Sequence, residues 1–144
     1  MNAQEMWALF SQRDKIEASY DAWSFGDAAD KLAELVLNGI KTATSSAHPL
    51  YEIEGEPLPE VGQYSVILDS EENAICVILT EAVFVVPFNR VNERQAWKEG
   101  EGDRSLEYWR SVHRHFFKEC MVEAGLCFQD TMNVVCEEFI RVYP

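Results

Sequence analysis

Apolar residues recur three and four positions apart in two segments of the N-terminal third, which is the spacing of an amphipathic helix. Residues 3–12 form the first segment, and we expect an N-terminal helical extension within about residues 1–22. Residues 27–38 form the second segment, with Asp27 as a candidate N-cap and Gly39 as a candidate C-cap. The second helix therefore leads directly into the residues that follow Gly39.

The middle and the end of the chain contain short runs of β-branched and aromatic residues, which favour strands. Residues 64–68, 74–80 and 83–87 predict three strands, and the polar residues 69–73 predict a hairpin connection between the first two. Residues 134–143 predict a final strand. Most of the expected sheet therefore comes from the second half of the chain.

Two further helices are expected in the C-terminal half. Residues 92–98 predict a helical turn, and Ser105 is a candidate N-cap for a longer helix. In that helix Trp109 and Phe116 or Phe117 recur on one side. Because strands dominate the middle and helices flank them, the pattern predicts one α+β domain of 144 residues around a curved sheet or barrel.

The chain is acidic, and this limits the ligands that it attracts. Twelve Lys and Arg against 25 Asp and Glu give a net charge of -13, which opposes tight binding to nucleic acid phosphates. We therefore expect no DNA binding, and any RNA must meet a local basic patch. The candidates for that patch are Arg90, Arg94, Lys98, Arg104, Arg110 and Arg114.

The sequence predicts a cytoplasmic protein with reduced thiols. Its apolar runs are far shorter than the roughly 20 residues that span a bilayer. No Lys or Arg precedes the apolar residues at the N-terminus, as it would in a signal peptide. The four cysteines, Cys76, Cys120, Cys127 and Cys136, lack C-x-x-C spacing, so we expect free, mostly buried thiols and no zinc site.

The segment after the second helix, Gly39-Ile40-Lys41-Thr42-Ala43-Thr44, resembles the G-x-K-x-x-T signature of the ASCH domain, a branch of the PUA-like superfamily. Further segments are similar to the longer bacterial, DUF984-type ASCH proteins. They are Trp23-Ser24-Phe25-Gly26-Asp27, Pro59-x-x-Gly62, residues 99–106, Tyr108-Trp109-Arg110, His113, Phe116, Phe117 and Cys136-Glu137-x-Phe139. The resemblance spans about residues 23–143 and implies a PUA-like curved sheet or pseudo-barrel flanked by helices.

The resemblance also implies a pocket for a nucleoside or for RNA, because the family is associated with RNA-related roles. One branch hydrolyses the amide of N4-acetylcytidine with a Lys, a Thr and a Glu, which fall here on Lys41, Thr44 and Glu99. This implies a cofactor-free amidohydrolase that acts on an acylated nucleoside. Another branch resembles a metal-dependent ribonuclease. The alternative is therefore a Mg²⁺- or Mn²⁺-dependent ribonuclease, or a non-catalytic module that binds single-stranded RNA.

The substrate-binding residues are less well defined by the family motif. The motif often continues to an Arg two residues after the Thr, where this chain has Ser46. A guanidinium that would clamp the substrate is missing there, and Arg104 or Arg110 is the candidate replacement. Trp23 and Phe25 lie in a polar, Gly-containing stretch, where stacking on a nucleobase is an alternative to core packing.

Amide hydrolysis sets requirements on the three candidate catalytic residues. Thr44 must lose its proton to a base, which Lys41 can be only in its neutral form, and Glu99 needs a raised pKa to hold a proton for the leaving amine. In a regular strand, residues three positions apart point to opposite faces. Lys41 and Thr44 therefore share a pocket only if the chain bends between them.

Metal binding has weaker support in the sequence. The acidic residues 99–103 alternate like the first half of a calcium loop, but Arg110 occupies the position of the bidentate Glu, so we expect a solvated acidic turn. His113 and His115 lie two positions apart and face different directions on a helix. We expect no His-based metal site, and we expect His113 to pack beside Trp109.

Two functions therefore remain open. A free acylated nucleoside has no polyanionic backbone, so the negative charge of the chain does not oppose its binding. Single-stranded RNA requires the scattered basic residues to form one track in space. The sequence does not determine the oligomeric state, and a homodimer is one option.

Overall fold

A five-stranded mixed sheet with helices packed against it forms the protein, and the computed structural model describes all of residues 1–144. The strands are β1 (Tyr20–Ser24), β2 (Ala43–Ala47), β3 (Tyr64–Leu68), β4 (Ala74–Pro87) and β5 (Asn133–Tyr143), in the order β1-β3-β4-β5-β2. The helices are α1 (Ala3–Asp14), α2 (Ala29–Leu37), α3 (His48–Glu54), α4 (Glu93–Glu99) and α5 (Leu106–Glu123), with a 3-10 turn at Phe88–Arg90. The predicted α+β class is confirmed, and the sheet curls into a half-barrel.

The curl of the sheet follows from its two longest strands. β4 is one continuous strand of 14 residues, where the sequence predicted separate strands at 74–80 and 83–87. Its pairing register with β5 shifts between Thr80 and Ala82. Such irregularities bend a strand and increase its twist. The bent β4 can therefore pair with β3 through its first residues and with β5 along most of its length.

The helix predicted at residues 3–12 is present as α1, but the N-terminal extension at about residues 1–22 is not helical throughout. Helix α1 ends at Asp14, and Tyr20–Ser24 forms β1, which pairs in parallel with β3. This strand owes its conformation to a distant partner, which local spacing does not reveal. Trp23 therefore lies on a strand rather than in a loop.

The ends of the helices agree only partly with the sequence. Ala28, and not Asp27, is the N-cap residue of α2, and no side chain caps this helix. Gly39 has a φ of +75°, which confirms it as the left-handed residue after the helix. Ser105 is confirmed as the N-cap of α5, because its hydroxyl accepts the Tyr108 N–H. Helix α3 was not predicted.

The thiols and the helices agree with two further expectations. All four cysteines are free, with Cys76 and Cys136 buried, Cys120 half-buried and Cys127 exposed. The expected burial of the thiols therefore holds fully for the two that lie on strands.

None of the helices combines the length and the apolar character needed to cross a bilayer.

Helix α1 is an integral part of the core. Met6 and Phe10 pack against Val66 of β3 and Val77 of β4, and Phe10 is only 1% exposed. Replacing Phe10 with Ala should therefore lower the free energy of unfolding by about 3–5 kcal/mol. The neighbouring Leu9 is 46% exposed, so Leu9→Ala is the matched control and should change stability little. Equal, small effects of both variants in urea unfolding would show that α1 is not part of the cooperative fold.

Candidate active site

Lys41 and Thr44 reach the same region because the chain turns between them. The backbone N–H of Lys41 still donates to the carbonyl of Leu35 in α2, at 3.1 Å, and strand β2 begins only at Ala43. Lys41 thus belongs to the turn that ends the helix, whereas Thr44 belongs to the strand. The alternation of a regular strand does not apply between them, and both side chains line one small cavity.

Glu99 comes to Lys41 through a close contact between two backbone segments. It is the last residue of α4, and the next residue, Gly100, has a φ of +72°. A Cβ atom at Gly100 would lie 2.6 Å from the carbonyl oxygen of Ile40, so only glycine fits there. This approach places Lys41 Nζ 3.4 Å from the Glu99 carbonyl oxygen and 3.5 Å from its Oε1.

Lys41 is enclosed by acidic and aromatic groups. Its Nζ donates to Oε2 of Glu101 at 3.0 Å and lies 5.3 Å from the centroid of the Phe25 ring. Lys41 and Glu99 are each 1% exposed, so their ion pair is buried. Each charge must therefore be compensated by its neighbours, since little water reaches them.

Glu99 accepts hydrogen bonds from three further side chains. Gln95 Nε2 donates to its Oε2 at 3.1 Å, Trp109 Nε1 donates to the same oxygen, and His113 Nε2 lies 3.4 Å from Oε1. Gln95 and Glu99 are four residues apart on α4, and Trp109 and His113 are four apart on α5. Each pair therefore presents both members on one helical face.

His113 is held as an imidazolium between two oxygen acceptors. Its ring stacks on Trp109 with centroids 4.3 Å apart, and its Nδ1 lies 2.9 Å from the Trp109 carbonyl oxygen. Since Nε2 faces Glu99, both ring nitrogens must carry a proton to satisfy both contacts. Burial would lower the pKa of His113, but the Glu99 carboxylate outweighs this effect and raises it.

The expectation that Glu99 holds a proton is not supported. Burial alone would raise the pKa of Glu99, but Lys41, His113 and Trp109 together lower it to about 2. Glu99 is therefore a carboxylate at neutral pH, and it fixes Lys41 and His113 in place. A proton for the leaving group of a reaction must come from elsewhere.

Two adjoining cavities share the walls of this region. The smaller, of about 80 Å³, is lined by Lys41, Glu99 and His113, and the larger, of about 470 Å³, lies towards β1 and α3. Residues that line both are Phe25, Gly26, Thr44, Ser45 and Phe116. Thr44 thus stands where a ligand in the larger cavity would meet the buried charges of the smaller one.

The predicted substrate-binding residues divide into two groups. Trp23, Phe25 and Ser46 line the larger cavity, and the Ser46 hydroxyl is 2.7 Å from the Tyr51 hydroxyl. Arg104 and Arg110 line neither cavity. The guanidinium of Arg104 lies 3.8 Å from the Trp97 ring centroid and donates to the Trp97 carbonyl, and Arg110 donates to the carbonyl of Asn89.

Three of the six cations proposed for a basic patch are already paired with carboxylates. Arg94 and Lys98 both contact Glu138, at 3.0 and 2.9 Å, and Arg114 pairs with Asp130. With Arg104 stacked on Trp97, these side chains do not form a free cationic track.

Three groups of the small cavity have the arrangement of a possible metal site. The ligand atoms of Glu99, Glu101 and His113 lie within 4.8 Å of one another. Lys41 Nζ contacts both carboxylates, so a divalent ion would have to displace the ammonium group. His115 is exposed and pairs with Glu119 instead, as expected from its position on the other side of the helix.

Gln95 and Glu137 were not identified as site residues from the sequence. A signal for Gln95 exists, because its four-residue spacing from Glu99 puts both on one face of a short helix. Glu137 had a weaker signal, as an acidic residue within an apolar terminal strand.

The buried carboxylate of Glu99 should make stability depend on pH. Its folded-state pKa of about 2 is below the ordinary 4.5, so its contribution is full above pH 4.5 and is lost as the pH falls to about 2. At pH 7, Glu99→Gln should lower the free energy of unfolding by about 3–5 kcal/mol, because it leaves buried cations unpaired.

Denaturant unfolding at several pH values tests this expectation. The difference between wild type and Glu99→Gln should shrink between pH 4.5 and 2. Asp103→Asn, at a fully exposed carboxylate, is the control and should have a much smaller effect at pH 7. A wild type and a Glu99→Gln variant of equal stability at pH 7 would contradict the ion-pair description.

Solved structures resemble this fold over nearly its whole length. An ASCH domain from Lactobacillus crispatus JV V101 is 33% identical, with a TM-score of 0.87 and coverage of 97% of this chain and 96% of that one. A DUF984 protein from Enterococcus faecalis V583 is 36% identical, with a TM-score of 0.92 and coverage of 99% and 88%.

A more distant likeness and a family model extend the comparison. An ASCH protein from Zymomonas mobilis is 13% identical, with a TM-score of 0.54 over 83% of this chain and 64% of that one, and it shares the fold alone. No protein of curated function matches the chain. The family model of the ASCH domain matches residues 21–143. The chain therefore belongs to the ASCH domain family and has its PUA-like fold.

Proposed function

We propose that this protein hydrolyses the amide bond of a small acylated nucleoside such as N4-acetylcytidine. Thr44 is the nucleophile, and Lys41 holds the carbonyl oxygen of the amide. The observation that carries the proposal is that Thr44 lines two adjoining cavities, a small charged one that Lys41 also lines and a larger one whose lining contains no Lys or Arg.

The larger cavity is suited to an uncharged ligand. Its volume of about 470 Å³ falls within the range of roughly 300–1,000 Å³ that is typical of small-molecule sites. Its ionisable lining includes the acidic residues Asp21, Glu56 and Glu137, which would repel a phosphate group. The half-buried Trp23 in its wall offers an aromatic surface to a nucleobase. A nucleoside without phosphates meets these conditions.

Lys41 is positioned to stabilise negative charge on the reacting carbonyl. Glu99 and Glu101 hold its ammonium group before any substrate binds, so little reorganisation is needed when charge develops. Fixed donors of this kind are among the largest contributions to catalysis of acyl transfer, at about 2.7–4 kcal/mol for one hydrogen bond. In this proposal Glu99 orients Lys41 and does not donate a proton.

RNA is the second candidate, and the charges of the structure oppose it. A phosphate backbone needs cations that are free to contact it. Arg94, Lys98 and Arg114 are paired with carboxylates, and the larger cavity has an acidic lining. The RNA-related roles of the family keep this candidate as the alternative outcome of the tests below.

Incubation with acylated nucleosides and short RNAs, followed by mass spectrometry, should show release of free amine from the acylcytidine. Lys41→Ala and Thr44→Ala should abolish turnover, because one removes the cation and the other removes the nucleophile. His115→Ala, at an exposed position of α5, is the matched control and should keep full activity. Because Lys41 already contacts the two carboxylates of the possible metal site, EDTA should leave the rate unchanged. Manganese-dependent shortening of RNA without acylcytidine hydrolysis would overturn the proposal.

The Ser at position 46 should limit activity on N4-acetylcytidine. A charge-assisted hydrogen bond from an Arg there would contribute about 1.5–3 kcal/mol, or about one to two decades in affinity. Ser46→Arg should therefore raise kcat/KM by about that factor. Ser46→Ala, which also removes the contact with Tyr51, is the control for loss of the hydroxyl. An unchanged or lower kcat/KM for Ser46→Arg would show that the cavity holds its ligand differently.

A further inference from the structure

The hydroxyl of Thr44 needs a proton acceptor. Of the three carboxylates that line the small cavity, Asp27 is exposed to solvent, and Glu99 and Glu101 are already engaged. Glu99 and Glu101 both contact Lys41, and Glu99 also accepts from His113. With its pKa lowered to about 2, Glu99 is a weak base. Lys41, paired as an ammonium, has no lone pair to offer. The acceptor must lie on another side of Thr44.

Glu137 lies beside Thr44 on the adjacent strand of the sheet. The two residues are partners in the antiparallel pairing of β2 with β5. Direct partners of this kind project their side chains from the same face, with Cβ atoms about 4.5–5.5 Å apart. Both residues line the larger cavity. A carboxyl oxygen of Glu137 is therefore within reach of the Thr44 hydroxyl without any change in the backbone.

Glu137 is buried without a charged partner. It is 9% exposed, and its one hydrogen bond comes from the Thr80 hydroxyl at 3.5 Å. Burial raises its pKa to about 7, although the Thr80 contact acts in the opposite direction. A buried and unpaired carboxyl opposes folding. A base whose pKa lies near the operating pH transfers protons most effectively.

We propose that Glu137 is the general base that accepts the Thr44 proton, and this inference rests on the proposed function. As the bond from Thr44 Oγ to the acyl carbon forms, the proton passes to Glu137 and the carbonyl electrons move to the oxygen beside Lys41. When the carbon–nitrogen bond breaks, Glu137 returns this proton to the leaving amine. Water then attacks the acyl-Thr44 ester, giving one proton to Glu137, which passes it to Thr44 Oγ as the carboxylic acid departs.

The direction in which activity changes with pH distinguishes Glu137, as the base, from the titratable groups around it. Charged and titratable groups around it are Asp21, Tyr51, Glu56 and Cys120 in the same cavity, and Asp27, Lys41, Glu99, Glu101 and His113 in the adjoining one. Burial raises the pKa of Tyr51 above 10, and the pKa of Glu99 is about 2. Burial lowers the pKa of His113, but Glu99 outweighs this effect and raises it. His113 acts as a cation, so its loss of a proton would lower activity. Glu137 as a base must instead make activity rise with pH.

Glu137→Gln keeps the shape of the side chain and removes the base. In wild type, kcat/KM for the acylated nucleoside should rise with pH through an apparent pKa near 7. The variant should lose this rise and about two to four decades in kcat, with little change in KM. Glu138→Gln, at the adjacent position facing away from the cavity, is the matched control and should keep the wild-type profile. Thermal unfolding of each variant shows whether the fold is retained.

Each outcome decides one question. Loss of the rise in Glu137→Gln, with a folded protein and a wild-type profile for Glu138→Gln, supports the inference. Turnover by Glu137→Gln with an unchanged profile overturns the inference and leaves the proposed function standing. Absence of turnover by the wild type overturns the proposed function, and the assignment of Glu137 as its base falls with it.

Discussion

The ion pair between Lys41 and Glu99 is the interaction on which the site depends. Both groups are almost fully buried, and desolvation of two charges is repaid only by close contacts and further hydrogen bonds. Glu101 and His113 complete a set of two positive and two negative charges. The cluster therefore ties the turn after α2 to α4 and α5, and it can form only when all three segments are in place.

Two buried carboxyl groups in the adjoining cavities have opposite pKa shifts. Glu99 is surrounded by donors, which lower its pKa to about 2, whereas Glu137 has no cation beside it and burial raises its pKa to about 7. Divergent pKa values within one site commonly mark different chemical roles. Here Glu99 holds the cation of the site, whereas in our proposal Glu137 exchanges a proton with Thr44.

The sequence predicted those elements whose pattern is local. The long α5 with its Ser105 cap and the Gly39 end of α2 could be read from spacing and capping residues. Strand β1 could not, because it depends on pairing with β3 forty-four positions later along the chain. The resemblance of the motif around Lys41 placed the fold correctly and singled out residues that the structure brings to one cavity. It could not reveal that Glu99 is ionised or that Glu137 faces Thr44, because both depend on contacts between distant segments.

The most direct test is a crystal structure of the Thr44→Val variant in complex with N4-acetylcytidine. Val has nearly the shape of Thr and lacks the nucleophilic hydroxyl, so the substrate should remain intact. The account predicts the base in the larger cavity beside Trp23, the acyl carbonyl oxygen within hydrogen-bond distance of Lys41 Nζ, and the carbonyl carbon next to position 44. A nucleoside bound elsewhere, or one whose acyl group points away from Lys41, would contradict it.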